Sequence, residues 1–257
     1  MANDKLRLTR KYFTTILRFA LSILNQRIHA SIHRWTYQVT SSPRNIAVIG
    51  GSFAGIQLAT RLTETLPSGY RVILVEKKSH FNYAFNFPRY SVLQGHEQLA
   101  FIPYTGLVKA APPGSLQLIQ DSVISISEKD VTLESGNRIG FDYLAIATGS
   151  GNGLPTKVAS TEKAGGMAEL RNLQRQIEKA ESVAVVGGGA GGVQLVGDIR
   201  SWYPGKRIAL VHSRAQLLPT FGPRLHEHVL KELEEMNVRV FIGQRPKLPV
   251  NGQREWS

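Results

Sequence analysis

NIAVIGGSFAG, residues 45–55, is a short apolar run that ends in a cluster of glycines. Its β-branched residues predict a buried strand, and apolar residues at helical spacing resume directly after Gly55. Strand, tight turn and helix in this order predict a dinucleotide-binding unit. In such a unit Gly50 takes the backbone angles of the turn, and Gly55 lets the helix pack closely on the strand.

The turn of this first fingerprint predicts a phosphate site. Backbone N–H groups at the start of a helix, aided by the helix dipole, bind the pyrophosphate of a dinucleotide. Ser52 replaces the middle glycine of the usual pattern, and its hydroxyl can itself bond a phosphate oxygen. We therefore predict cofactor contacts along the whole turn: Gly50, Gly51, Ser52, Phe53, Ala54 and Gly55.

An acid at the end of the next apolar run supports this interpretation. Residues 71–75 predict a second strand, and Glu76 follows it, 21 residues beyond Gly55. An acid at about this distance accepts the ribose hydroxyls of an adenosine. A glycine turn alone could be merely structural, but the order of strand, turn, helix, strand and acid makes that alternative much weaker.

A second fingerprint lies at residues 183–192, where VAVV is followed by GGGAGG. Gly187, Gly189 and Gly192 fill all three glycine positions, and we predict that they contact a second dinucleotide. The next predicted strand ends at His212, so the acid is absent, and Arg214 follows two residues later. An acid at this position favours NAD, whereas a basic residue accommodates the 2′-phosphate of NADP. His212 and Arg214 therefore predict that NADPH is tolerated or preferred.

Between the fingerprints the apolar pattern changes to alternation from Leu116 onward, with turn residues between short runs. This predicts a small antiparallel meander at about residues 115–142. The following apolar run ends at Thr148 and Gly149. Such a strand can rejoin the first sheet, which would bring both residues close to the bound dinucleotide, although a plain strand end is the equal alternative.

The N-terminal 44 residues are strongly basic. They hold eight Lys or Arg residues against the single acid Asp4, within a chain of net charge +12. Apolar residues recur there at three- and four-residue steps, which predicts an amphipathic helix: Phe13, Ile16, Leu17, Ala20, Leu21, Leu24 and Ile28. The run is too short and too charged for a membrane span. It fits a mitochondrial presequence or a helix lying on an anionic membrane; the alternatives are a solvated extension with no such role and a helix docked on the folded body.

Other chemistries have little support in the sequence. The 257 residues contain no cysteine, which removes disulfides, thiolate metal sites and redox-active thiol pairs. No metal-ligand spacing or nucleophilic triad stands out, so we predict no metal site and name no catalytic side chain. The basic excess lies in the N-terminal arm, so we expect no nucleic-acid partner.

Five motifs together carry a family resemblance: VIGGSFAG at 48–55, FDYLAIATGS at 141–150, VVGGGAGGV at 185–193, YPGK at 203–206 and VHSR at 211–214. The chain from about Asn45 resembles the two-dinucleotide-binding flavoprotein oxidoreductases. It resembles more closely the apoptosis-inducing-factor-2-like group (ferroptosis suppressor-like) of the pyridine nucleotide-disulfide oxidoreductase superfamily.

The resemblance implies FAD in the first unit and NAD(P)H as co-substrate in the second. It also implies an FAD contact at Arg89 and backbone contacts to the adenine at Val123. Hydride would pass from nicotinamide to flavin and on to an acceptor such as a quinone or a small organic substrate. Gln194 stands where many relatives carry Glu. A mitochondrial or membrane-associated location is expected, with the cytoplasm as the alternative.

We therefore expect an α/β fold with two Rossmann-like dinucleotide-binding units and a small antiparallel meander between them. The expected divisions are a basic arm and linker at 1–44, an FAD-binding domain at 45–165 and an NAD(P)-binding domain at 166–257. The second unit is expected to be incomplete, because family members continue beyond this point. The alternative function is a truncated, catalytically weak dinucleotide-binding or interaction protein.

Overall fold

The computed structural model describes residues 2–151 and 153–246. Two units make up the chain, one from Met1–Phe81 and Pro103–Gly149, the other from Asn82–Ile102 and Ser150–Ser257. The helices are α1 Ala2–Thr36, α2 Phe53–Thr65, α3 Phe87–Tyr90, α4 Thr105–Ala110, α5 Lys163–Lys179, α6 Ala190–Trp202 and α7 Pro223–Glu235, with 3₁₀ turns at Ala84–Asn86 and Glu97–Ala100.

The strands are β1 Arg44–Ile49, β2 Tyr70–Glu76, β3 His80–Asn82, β4 Phe101–Pro103, β5 Leu116–Gln120, β6 Val123–Ile126, β7 Asp130–Leu133, β8 Arg138–Gly140, β9 Tyr143–Ile146, β10 Ser182–Val186, β11 Arg207–His212 and β12 Val238–Ile242. The short strands β3 and β4 lie where the chain passes from one unit to the other.

The first unit is built on a parallel sheet of order β5-β2-β1-β9. Val72 and Leu74 face one side of this sheet, where they pack with Ala59 of α2. Ile73 and Val75 face the other side and pack on the three-stranded antiparallel sheet β6-β7-β8. Because both faces are covered, the central residues of β1 and β2 are apolar on both sides of the sheet, at 46–49 and 72–75. The predicted return of the 143–147 run to the first sheet is confirmed.

One part of the predicted meander is wrong. Leu116 and Leu118 alternate like residues of an antiparallel strand, but β5 pairs in parallel with β2 at the edge of the first sheet. Leu116 lies in the core with Val72 and Leu74, so its apolar side chain is buried against the parallel sheet. The antiparallel meander itself comprises only β6, β7 and β8.

The second unit contains a parallel sheet of order β10-β11-β12 within the described residues. Its core joins Val185 of β10, Leu210 of β11 and Ile199 of α6. The α/β architecture with parallel sheets and two dinucleotide-binding units agrees with the fold class predicted from the sequence.

The structure divides the chain differently from the predicted boundary at residue 165. Residues 82–102 and 150–165 belong to the second unit. The reason is apolar packing, since Phe87 and Phe101 are buried against Val158 and against Leu170 of α5. The sequence of residues 82–102 shows which residues are apolar, but it does not predict that they pack on α5.

The basic arm forms the single helix α1. No described helix is long and apolar enough to cross a membrane. Near its end α1 is attached to the first unit: His33 Nε2 donates to the carbonyl oxygen of Leu66 at 2.5 Å, and Tyr37 Oη donates to that of Tyr70 at 2.7 Å.

Candidate functional site

The first fingerprint forms a tight turn between β1 and α2. Gly50 has φ of +101°, a region that side-chain-bearing residues rarely adopt, and a Cβ there would lie 2.5 Å from the carbonyl oxygen of Ala147. A Cβ on Gly55 would overlap the carbonyl oxygen of Gly50. The turn therefore tolerates only glycine at both positions, which agrees with the roles predicted for them.

The start of α2 has the form of a phosphate-binding helix N-terminus. Ser52 occupies the N-cap position in extended conformation, is exposed, and its hydroxyl makes no capping hydrogen bond. Phe53 stacks edge-on against Phe81 with ring centroids 4.9 Å apart. An N-terminus of this kind presents backbone N–H groups and a positive dipole end to an anion.

Glu76 lies against this turn at the carboxyl end of β2. Its Oε2 accepts a hydrogen bond from the N–H of Gly51, and its Oε1 accepts one from the N–H of Lys78 at 2.9 Å. A carboxylate has about four lone-pair positions. Two therefore remain for donors such as ribose hydroxyls, so the geometry fits the role predicted for Glu76.

Tyr104 is a site residue that sequence reasoning missed. Its side chain is buried, and Oη donates a 2.6 Å hydrogen bond to the carbonyl oxygen of Gly51. Burial raises the pKa of Tyr104 well above its usual value, and the nearby carboxylate of Glu76 raises it further. The phenol therefore remains a hydrogen-bond donor at all physiological pH values. It follows a three-residue strand and belongs to no periodic pattern, so the sequence holds no signal for it.

Three further residues are predicted to contact the cofactor of the first unit: Thr148, Gly149 and Val123. Ala147 N–H donates to the carbonyl oxygen of Ile49 at 2.8 Å, and the backbone nitrogen of Thr148 lies 3.0 Å from where a Cβ on Gly50 would be. Val123 begins β6, just after Asp121, whose N–H donates to the carbonyl oxygen of Glu76 at 3.1 Å. These positions suit a dinucleotide, and the contacts themselves stay predictions.

Arg89 and the first turn belong to different units of the chain. Arg89 belongs to the second unit, on α3, where Nε forms an ion pair with Oδ1 of Asp198 at 3.2 Å. Asp198 is buried on α6, and Arg89 is half exposed. The FAD contact implied for Arg89 therefore stays a prediction, and the pairing with Asp198 is a finding that the sequence did not suggest.

The second fingerprint forms the same kind of turn between β10 and α6. Gly187 has φ of +120°, and a Cβ on Gly192 would overlap the carbonyl oxygen of Gly187. Gly189 is the N-cap of α6. The turn is closed by the N–H of Gly187, which donates to the carbonyl oxygen of Val211 at 2.8 Å.

His212 lies at the end of β11 and is buried, with 8% of its surface exposed. Nδ1 accepts a 3.1 Å hydrogen bond from the N–H of Gly188, so the ring carries its proton on Nε2. Nε2 is buried and has no partner within the described residues. A buried donor without a partner is costly. Arg214 is exposed nearby.

Among the described residues, no three His, Asp or Glu side chains are arranged to hold a metal ion. The groups gathered at the two turns are instead backbone N–H groups, one carboxylate, one imidazole and one phenol. They can bind and orient a dinucleotide, but none of them is placed as a nucleophile.

The sequence model of the pyridine nucleotide-disulphide oxidoreductases matches residues 44–255. Fe-regulated protein 8 of Mycosarcoma maydis is 37% identical over 230 residues, which cover 81% of this chain and 58% of that protein. Ferroptosis suppressor protein 1 of Xenopus tropicalis is 32% identical over 204 residues, covering 78% and 52%. The chain thus spans about half the length of the curated relatives it matches.

The fold is shared with solved oxidoreductases. A ferredoxin reductase from Rhodopseudomonas palustris superposes with a TM-score of 0.62 at 16% identity, over 82% of this chain and 53% of that one. A water-forming NADH oxidase from Lactobacillus brevis, bound to NADH, gives 0.60 at 17% identity, over 78% and 46%.

Proposed function

The chain belongs to the pyridine nucleotide-disulphide oxidoreductase family, in its apoptosis-inducing-factor-like group, and from this we propose that it is an FAD-dependent NAD(P)H oxidoreductase. FAD would occupy the first unit and NAD(P)H the second. When bound, the flavin takes hydride from the nicotinamide and passes electrons to an acceptor.

The observation that carries the proposal is the pair of glycine turns. In each unit the last glycine of the fingerprint lies so close to the first that only hydrogen fits between helix and strand. This contact holds the start of α2, and likewise that of α6, at the carboxyl end of its sheet, where a pyrophosphate binds. Two such turns in one chain suit two dinucleotides.

The residues of the first turn fit FAD. Ser52 offers an uncommitted hydroxyl at the start of α2, and Glu76 offers two remaining lone-pair positions to a ribose. The buried hydrogen bond from Tyr104 Oη fixes the carbonyl group of Gly51. These groups bind and orient a cofactor, while the redox chemistry belongs to the cofactor itself.

The residues of the second turn fit NAD(P)H without strict choice between its two forms. His212 carries its N–H donor on Nε2, and once a small movement of the side chain exposes it, this donor can bond either a 2′-hydroxyl oxygen or a 2′-phosphate oxygen. The negative charge that would repel a 2′-phosphate at this position is missing. Arg214 adds a positive charge two residues away.

For the acceptor we propose a quinone or another small organic molecule. The 257 residues hold no cysteine, so within them electrons cannot pass through a disulfide, and transfer goes directly from flavin to acceptor. A quinone with an isoprenoid tail resides in the bilayer. A quinone acceptor therefore favours a membrane-associated location, mitochondrial or other.

The absorbance spectrum of the purified protein tests the proposal. Bound flavin is expected in the visible spectrum, and anaerobic addition of NADPH or NADH should bleach it; a quinone should then restore it. A colourless protein that binds no added FAD would refute the assignment. Binding of both cofactors without bleaching would instead favour a catalytically weak dinucleotide-binding or interaction protein.

A further inference from the structure

Helix α1 exposes an apolar stripe along most of its length. The residues recur at three- and four-residue steps, and each is exposed: Phe13, Ile16, Leu17, Ala20, Leu21, Leu24, Ile28, Ile32 and Trp35. Leu17 is the least exposed of the large ones at 47%, and Trp35 reaches 89%. Soluble proteins rarely expose a continuous apolar surface of this extent unless it meets another surface.

The charges around the stripe are almost all positive. No acid occurs from Lys5 to Thr63, and within the described residues none of the Arg or Lys side chains of α1 forms an ion pair: Lys5, Arg7, Arg10, Lys11, Arg18, Arg27 and Arg34. Arg34 donates instead to the carbonyl oxygens of Lys109 and Ala110. A surface that complements α1 must therefore offer apolar groups to the stripe and negatively charged groups to the Arg and Lys side chains beside it.

The end of α1 is part of the folded first unit. Besides the bonds of His33 and Tyr37 to carbonyl oxygens, the N–H of Gln38 donates to Oγ of Ser68 at 2.9 Å. Val39 packs against Gly114: a Cβ added to Gly114 would lie 2.7 Å from Cγ2 of Val39. These contacts attach the C-terminal end of α1 to the folded first unit.

We propose that α1 is a lasting membrane-surface anchor, which lies flat on an anionic phospholipid bilayer. Its apolar stripe enters the region between headgroups and acyl chains, and its Arg and Lys side chains reach lipid phosphates. The contacts of His33, Tyr37 and Gln38 hold the first unit at this surface.

A second copy of the chain fits the stripe less well. Two α1 helices packed along their stripes would bring two sets of like charges together, with Asp4 as the single acid on each helix. Repulsion between these charges opposes such a dimer, whereas anionic lipid neutralises them. The same repulsion makes the stripe a poor site for self-association.

Co-sedimentation of the full chain with vesicles tests the anchor. We expect binding to phosphatidylcholine vesicles that contain phosphatidylserine, weaker binding without phosphatidylserine, and a decrease as salt screens the charges. The variant Leu17→Glu/Leu24→Glu places two charges in the stripe. It should bind at least ~10-fold more weakly, because the lost apolar burial is the main attraction.

Ser22→Glu/Gln26→Glu is the matched control, since both residues are exposed on α1 outside the stripe and the added charge is the same. It should lose much less binding than the stripe variant. Circular dichroism should show both variants folded. Equal loss in the two variants, or no binding of the unaltered chain to anionic vesicles, would overturn the anchor. So would a dimer in solution that only the stripe variant abolishes, or a mature protein from cells that begins after Thr36, as a cleaved presequence would give.

Discussion

The N–H of Gly188 donates to Nδ1 of His212, and the N–H of Gly51 donates in the same way to the carboxylate of Glu76. The second residue of each glycine turn is thus bonded to the side chain at the end of the following strand. The two side chains offer opposite hydrogen-bonding groups to a ligand, an acceptor in one case and a donor in the other. Glu76 keeps lone pairs that accept hydroxyl protons, whereas His212 keeps an N–H that donates to an oxygen.

Replacement of His212 by Glu should therefore make the second unit select NADH. A carboxylate can accept the Gly188 hydrogen bond as Glu76 accepts that of Gly51, but it repels a 2′-phosphate. Since such repulsion costs several kcal/mol, the Kd for NADPH should rise ~100-fold relative to that for NADH. Titration calorimetry with both nucleotides measures this. The same substitution at the exposed His228 of α7 is the control, and an unchanged ratio of the two Kd values in His212→Glu would contradict the role given to this residue.

Two glycines of α6 provide a sharp test of the second turn. Gly192→Ala would drive a methyl group into the carbonyl oxygen of Gly187, so we expect a loss of at least ~3 kcal/mol in the free energy of unfolding and loss of nucleotide binding. Gly197→Ala, one helical turn and a half further on, meets nothing within 4 Å. It should stabilise the helix by ~1 kcal/mol, because Ala loses less backbone entropy than Gly. Urea unfolding of the two variants measures both effects; similar stabilities would show that the close approach at Gly192 is not required.

The parts of the fold that the sequence predicts correctly depend on residues that lie close together along the chain. Both glycine turns depend on residues within about ten positions of each other, and the positions of Glu76 and His212 follow from the fixed length of a strand-helix-strand unit. The alternating pattern at Leu116 predicts the wrong sheet, because such a pattern suits an edge strand of either sheet. Alternation identifies a strand without identifying its partner.

Contacts between distant segments could not be predicted. Tyr104 meets Gly51 across 53 positions of the chain, and Arg171 meets Glu97 across 74. Neither pair has a periodic or spacing signal, since both depend on how segments distant in the sequence pack against each other. For the same reason the sequence did not predict that Phe87 and Phe101 would be buried against α5.

The ion pair of Arg171 with Glu97 should make stability depend on acid pH. Glu97 is buried, which by itself raises the pKa of its carboxyl, but hydrogen bonds from its own backbone, Arg171 and Gln174 outweigh burial and hold the pKa below its usual 4.5. A carboxyl with a lowered pKa stabilises the fold above its unfolded pKa, and that contribution is lost as pH falls through the lower folded value.

Arg171→Met should therefore cost ~1–2 kcal/mol at neutral pH, a modest amount because the Arg171 side chain is half exposed. It should also make the decline in stability below about pH 4.5 shallower. Urea unfolding at a series of pH values measures both. Arg175→Met, exposed on the same helix, is the control, and an acid limb of unchanged slope in Arg171→Met would show that Glu97 is held by other groups.

Tyr104→Phe should weaken the first turn without disturbing the core around it. The substitution removes one hydroxyl and leaves the carbonyl oxygen of Gly51 buried without its 2.6 Å bond, which costs ~1–3 kcal/mol. Because Gly51 also donates to Glu76, a less fixed peptide should loosen both groups. FAD affinity should then fall more than global stability does.

The Kd for FAD and the free energy of unfolding, measured on the same variant, separate these effects. Tyr12→Phe is the matched control, since it removes a hydroxyl from an exposed tyrosine of α1. It should leave both quantities unchanged. If Tyr104→Phe loses stability while its FAD affinity matches that of the unaltered chain, Tyr104 supports the fold only. If FAD affinity falls with little loss of stability, Tyr104 positions the peptide that faces the cofactor, although it need not touch the cofactor itself.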